Sequence, residues 1–192
     1  MSMPTPDARA DLSRRSHAAV GPCDDSPGSD RHVCQGPIEL ESTSPQQTEA
    51  IGAALAELLA PGDVLALCGP LGTGKTVLIR GIAHGLGVPL DEPVLSPTFV
   101  LVREHQGRLP LLHCDAYRLR DPRELIDLGL EELRRERGVV IAIEWADRFP
   151  ELVPPDAIRI ELEHVDPQTR RVRIHIGEAA RAARVAKRLA AG

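Results

Sequence analysis

Gly69-Pro70-Leu71-Gly72-Thr73-Gly74-Lys75-Thr76 is the stretch whose reading decides the fold. It fits G-x-x-x-x-G-K-[ST], a pattern with physical meaning only between a buried strand and a helix. Both neighbours are present. Residues 64–68 form a compact apolar run, and residues 76–86 carry Val77, Leu78, Ile82 and Leu86 at helical spacing. In such a loop the glycines let successive backbone N–H groups curl around a phosphate, and the helix N-terminus adds its partial positive charge. Lys75 would then reach the β- and γ-phosphates, and the Thr76 hydroxyl would ligate magnesium. Of the 23 basic residues only Lys75 and Lys187 are lysines, so composition alone does not put a lysine here. The plain alternative is a glycine turn with no ligand.

Outward from the loop, regular elements alternate. Residues 38–40 suggest a short strand. Ser44, Pro45 and Gln47 then supply an N-cap, a first-turn proline and a capping-box glutamine for a helix to about residue 59, stopped by Pro61 and Gly62. Residues 98–103 and 109–114 read as strands joined through Gln106 and Gly107 as a hairpin. Asp121, Pro122 and Glu124 repeat the capping pattern and open one helix ending near Gly138. Residues 139–143, unbroken by polar side chains, read as a central strand buried on both faces. Residues 157–162 and 172–176 alternate more and read as outer strands, with a last helix from about 178 to 189. The expected fold is a three-layer α/β domain of the P-loop NTPase type, its central sheet mostly parallel with antiparallel outer strands.

The chain of 192 residues suits one ordinary domain over residues 38–192. Residues 1–37 are rich in Ser, Pro, Asp, Gly and Arg, and their only large aliphatic side chains are Leu12, Val20 and Val33. They read as a disordered tail. Within it His17, Cys23, His32 and Cys34 match no zinc spacing. The four cysteines are widely separated, which suits a reduced, cytoplasmic setting. Arg14 and Arg15 are followed by no apolar stretch, so no targeting segment is read. The longest apolar runs are far short of the roughly 20 residues of a membrane span. Only four aromatics occur, Phe99, Tyr117, Trp145 and Phe149, too few for a base-stacking platform that reads single-stranded nucleic acid. The net charge is −5, yet residues 168–192 hold seven basic residues against one acid, Glu178. A solvated helix face explains that bias more simply than contact with a phosphate backbone.

Hydrolysis needs more than a phosphate loop: a metal-side carboxylate and a group that positions water. Glu144 closes the buried run 139–143, where such a metal-side acid belongs, with Trp145 next to it; the plain alternative is a capping or salt-bridging glutamate. Asp115, in His113-Cys114-Asp115-Ala116-Tyr117-Arg118-Leu119, closes another strand at the same sheet edge, where α/β ligand sites form. It could orient the attacking water, or it could cap a turn. His113, inside a strand, reads first as a packed core residue. Thr98, in Ser96-Pro97-Thr98-Phe99, could sense a γ-phosphate as switch threonines do, or belong to a proline-stiffened turn. Residues 42–48 are candidates for contacting the base.

Together these strings resemble the TsaE (YjeE) family, the P-loop ATPase component of bacterial tRNA threonylcarbamoyladenosine synthesis. The matching pieces are the phosphate loop, Ser96-Pro97-Thr98-Phe99 followed by Leu101-Val102, His113 to Leu119, Asp121-Pro122 with Glu124-Leu125, and Glu144-Trp145. They stand in the family's order over about residues 38–190. The resemblance implies ATP and Mg2+ as ligands, weak intrinsic ATPase activity, and a role assisting partner proteins TsaB and TsaD, with tRNA met only through that complex. It further implies Leu71, Gly72, Thr73, Gly74, Lys75 and Thr76 around the phosphates, Thr76 and Glu144 on magnesium, Asp115 needed for hydrolysis, Thr98 as a switch residue and Trp145 close to the nucleotide. Pro70 and Thr73 depart from the family's usual loop residues. Pro70 removes one backbone donor ahead of the amides that enclose the β-phosphate, so binding is expected to survive.

Two other function classes stay open on sequence. A small P-loop kinase would carry an arginine-bearing lid and an acceptor pocket, for which Arg118, Arg120 and Arg123 are the nearest match. A GTPase-like switch would carry N-K-x-D, which this chain lacks.

Overall fold

The computed structural model describes residues 36–190. The expected tail, with His17, Cys23, His32 and Cys34, therefore lies almost wholly outside the described residues. Seven strands form one sheet in the order β1-β7-β6-β2-β5-β4-β3. They are β1 (Ile38–Ser42), β2 (Val64–Cys68), β3 (Val102–His105), β4 (Leu111–Asp115), β5 (Val140–Glu144), β6 (Ile158–His164) and β7 (Arg170–His175). The adjacent strands β6, β2, β5 and β4 are mutually parallel. β7 is antiparallel to β6, β1 to β7, and β3 to β4. The expected mixed α/β sheet is thus present. One detail differs: β6, whose alternation suggested an outer strand, belongs to the parallel block. Its alternating exposure arises because part of one face is left uncovered, while Ile158, Ile160 and Leu162 are buried on the other.

β2 shows why the apolar run must be a strand. Leu65 and Leu67 enter a core shared with α1 (Pro45–Ala56), α2 (Lys75–Gly85) and α5 (Ala179–Leu189), represented by Leu55, Ile82 and Val185. Val64 and Ala66 face the opposite core, with Ile141, Ile143 and Leu125. A period of two therefore sends successive side chains into two separate cores, and each leucine so buried contributes about 2 kcal/mol. The two helical layers differ. α1 and α2 pack backbone to backbone, so closely that a Cβ on Gly81 would lie 2.1 Å from the Glu49 carbonyl oxygen. The far layer is thin, since α3 (Arg123–Ile126) and α4 (Leu130–Arg137) bury only Leu125 between them.

Local sequence explains the helix limits. Ser44 accepts a hydrogen bond from the Gln47 amide at 3.2 Å, but the Gln47 side chain closes the box on the Thr43 amide, 2.7 Å away, one residue earlier than expected. The helix expected from Asp121 to Gly138 is two helices. Gly129, at φ +66°, turns the chain between them. The strand expected over 98–103 begins only at Val102, because residues 98–101 form a turn that ends on Leu101 at φ +65°. The basic C-terminal stretch is largely paired at home. Arg173 contacts Glu39 and Glu163, Arg171 contacts Glu41, Arg181 contacts Asp63 and Arg188 contacts Glu57. Among the described residues no helix is long and apolar enough to cross a membrane.

Candidate functional site

The phosphate loop leaves the end of β2 and enters α2, with Gly74 at φ +98° as the helix N-cap. That left-handed conformation suits glycine, and it aims the first amides of α2 into the space above the loop. The parallel register of β4 and β5 sets Asp115 directly beside Glu144, so two carboxylates end neighbouring strands at the same edge. The Thr76 hydroxyl donates to Glu144 Oε1 at 2.8 Å, across 68 residues of sequence. Asp115 accepts at Oδ2 from Thr98 Oγ1 at 2.7 Å and from Ser96 Oγ, and at Oδ1 from the Tyr117 amide at 2.8 Å. Ser96 and Thr98 also bond each other at 2.8 Å.

Lys75 is 4% exposed. Its Nζ donates to the Gly69 and Pro70 carbonyls at 2.6 and 2.9 Å and lies 3.7 Å from the Trp145 ring centroid. Burial pushes its ammonium below the ordinary lysine value, while the carboxylates of Glu144, Asp147 and Asp115 pull the other way. Trp145 reaches this position because it leaves β5 at φ +60°, a left-handed turn that folds its ring back toward the loop.

A cleft of about 470 Å³ opens among these groups, lined by Leu71, Gly72, Gly74, Lys75, Thr76, Thr98, Asp115, Glu144 and Trp145 but not by Thr73. Thr73 is buried, its hydroxyl donating to the Pro70 carbonyl at 2.9 Å, and it borders a smaller recess of about 110 Å³ across the loop. Ser44, Pro45 and Thr48 line that recess, which places part of the 42–48 segment beside the loop. The aromatics gather at the same edge: Tyr117 and Trp145 have ring centroids 4.9 Å apart, and Arg148 lies over both Tyr117 and Phe149. Chemically, the loop amides and Lys75 suit a polyphosphate, and the oxygen pair of Thr76 and Glu144 suits a small hard cation.

The family described as "Threonylcarbamoyl adenosine biosynthesis protein TsaE" matches residues 42–172. The chain belongs to the TsaE family. The TsaE protein of Bacillus subtilis is 38% identical over 136 residues, covering 70% of this chain and 83% of that one. The TsaE protein of a Nostoc species is 39% identical, with 67% and 80% covered. Both carry the name tRNA threonylcarbamoyladenosine biosynthesis protein. A crystal structure of Bacillus subtilis YdiB superposes with a TM-score of 0.66 at 30% identity, covering 81% of this chain and 95% of that one.

Two further residues of this TsaE chain belong to the site. His113 is a core residue, fully buried, but its Nε2 also lies 2.8 Å from Glu144 Oε1, so packing and site are not alternatives. Ser96, which the sequence offers only as a member of Ser96-Pro97-Thr98-Phe99, meets Asp115 Oδ2 beside Thr98. Its spacing of two from Thr98 was the available signal, since extended residues two apart share a side.

Proposed function

We propose that the protein binds ATP over the phosphate loop, hydrolyses it weakly with Mg2+, and serves tRNA threonylcarbamoyladenosine formation by assisting TsaB- and TsaD-type proteins in the cytoplasm. What carries the reading is the meeting of Thr76 and Glu144 at 2.8 Å, with Asp115 in register beside them. The residues fit the cation: Thr76 and Glu144 both line the cleft, and His113 Nε2 holds Glu144 at Oε1, the oxygen that Thr76 also meets. Magnesium, when bound there, would neutralise charge developing on the phosphate oxygens.

The protein's own groups do the rest. Lys75 gives up its contacts to the Gly69 and Pro70 carbonyls and turns its three donors to phosphate oxygens. The amides of Gly72 to Thr76 hold the polyphosphate in the loop, with Leu71 at its outer rim. Asp115, poised by Ser96 and Thr98, orients the attacking water, and Thr98 senses whether the last phosphate is present. ATP rather than GTP follows from the missing guanine-reading motif. The kinase reading is weakened by the arginines it needs: Arg123 is engaged with Asp121, and Arg118 lies over the Phe99 ring 4.4 Å from its centroid.

Phosphate release by the purified protein, alone and with a TsaB–TsaD pair, tests this, repeated with Lys75→Ala, Asp115→Ala and Glu144→Ala. Stimulation or binding by the pair, lost in the variants, is expected. Indifference to the pair combined with phosphorylation of a metabolite would favour the kinase.

A further inference from the structure

Behind Glu144 lie two histidines with unfinished hydrogen bonding. His113 on β4 is fully buried and its Nε2 faces Glu144 at 2.8 Å. His105 closes β3 with its side chain fully buried, and its Nδ1 lies 2.5 Å from Glu92 Oε1. The β3–β4 register pairs Arg103 with His113 and His105 with Leu111, so the two histidines are diagonal neighbours on one side of the sheet. Their ring centroids are 6.4 Å apart, with the planes tilted by 36°. The remaining nitrogens, His113 Nδ1 and His105 Nε2, are both buried and have no hydrogen-bond partner within the protein.

The chemistry of the outer partners constrains the inner ones. A carboxylate oxygen accepts, so the ring nitrogen facing each glutamate carries the hydrogen. A neutral imidazole has one N–H, which leaves His113 Nδ1 and His105 Nε2 both as acceptors. Two acceptors cannot bond each other. Nor can they touch: with centroids 6.4 Å apart, the nitrogens lie about 4 to 9 Å from each other, beyond hydrogen-bond reach. Water has two donors and spans about 4 to 5.5 Å between acceptors, the near part of that range. A buried acceptor left bare loses its hydration with nothing in return.

We propose that one buried water bridges His105 Nε2 and His113 Nδ1, and that the resulting chain from Glu92 through both rings to Glu144 makes these histidines positioning residues for the carboxylate beside the phosphate loop. The bridge stands on burial and ring geometry; its consequence for cation affinity rests on the reading of Thr76 and Glu144 as the cation pair. Glu92 belongs to the irregular segment that also carries Ser96 and Thr98. That segment therefore touches Asp115 directly and reaches Glu144 through two histidines and the water between them, which gives it a hold on both carboxylates.

The test uses the full chain. Nitrogen-15 spectra of the imidazoles at neutral pH should show His113 with hydrogen on Nε2 and His105 with hydrogen on Nδ1. A high-resolution crystal structure should show one water within hydrogen-bond distance of both inner nitrogens. Opposite tautomers, a doubly protonated His105, or the lack of that water would overturn the bridge. His105→Asn keeps a donor toward Glu92 but removes the inner nitrogen, whereas His105→Gln keeps a polar atom near it. With nucleotide present, Mn2+ affinity should fall about three- to tenfold in H105N and recover in H105Q, while metal-free nucleotide affinity is unchanged in both. Equal losses in the two variants would make His105 merely structural and overturn its positioning role. Wild-type protein that binds no Mn2+ with nucleotide would sink the cation reading, and the tautomers and the water would then decide the bridge alone.

Discussion

Glu144 and Asp115 end adjacent strands in register and are almost equally buried, yet they are held in different ways. Glu144 takes its direct partners from regular elements, Thr76 on α2 and His113 on β4. Asp115 takes its hydroxyl partners, Ser96 and Thr98, from the segment between α2 and β3, which has turns but neither helix nor strand. A carboxylate fixed by helix and strand keeps one geometry and suits a cation. One fixed by an irregular segment can lose or regain partners as that segment moves, which suits a group whose task depends on what occupies the cleft. On the proposed function, the pair separates holding a cation from sensing the occupant of the cleft within one sheet edge.

The largest effect should come from breaking the rigid member. Glu144→Gln keeps size and an acceptor for Thr76 but removes the charge. Magnesium-dependent phosphate release should fall on the order of 1000-fold, with metal-free nucleotide affinity changed less than about threefold. An equal loss of metal-free binding would show that Glu144 supports the loop rather than a cation. Asp115→Asn should cost less, about 100-fold in turnover, with Mn2+ affinity preserved. Loss of Mn2+ affinity there would erase the contrast between the two carboxylates.

Thr98→Val sharpens the comparison further, because it leaves Asp115 in place and removes one charge-assisted hydrogen bond. Such a bond is worth about 1.5–3 kcal/mol, so turnover should drop about tenfold, and Thr98→Ser should restore most of it. A fall in stability without a fall in turnover, read by thermal unfolding and phosphate release together, would leave Thr98 as a turn residue.

What was legible in the sequence divides along the same line. The apolar runs at β2 and β5 and the loop pattern determine the parallel block, because burial on both faces leaves few other arrangements. Glu144 is visible because it follows such a run directly, and Asp115 because it closes a second strand, Leu111-Leu112-His113-Cys114-Asp115, and strands in a parallel sheet end at one edge. The partners of Asp115 were half visible, since Ser96 and Thr98 lie in a segment whose path follows from no periodicity. The Glu92–His105 contact had no signal, because it joins an irregular segment to the end of an edge strand, and nothing local in either specifies the other. The break at Gly129 is hidden for a different reason: a lone glycine inside a helical pattern is commonly tolerated, and only its left-handed conformation shows that the helix stops there.

The smallest expected effect concerns the lysine that must serve both carboxylates' side of the cleft. Lys75 Nζ lies over the Trp145 ring while it bonds the Gly69 and Pro70 carbonyls, so the ring senses where the ammonium is. Trp145 is the only tryptophan in the chain, and its emission is therefore a site-specific reading. Nucleotide that draws Nζ to phosphate oxygens removes a positive charge from the ring face, a contact of about 0.5–2 kcal/mol, and should change the emission by tens of per cent. Lys75→Met keeps the aliphatic length without the charge, so its nucleotide-free emission should already differ from wild type and should hardly respond to nucleotide. Glu144→Gln should retain the full response in the absence of metal, since Lys75 and not the carboxylate is what moves. A response that vanishes in Glu144→Gln but persists in Lys75→Met would mean that the ring follows the β5 end instead of the lysine, and the division between a rigid Glu144 and a mobile surrounding would have to be reversed.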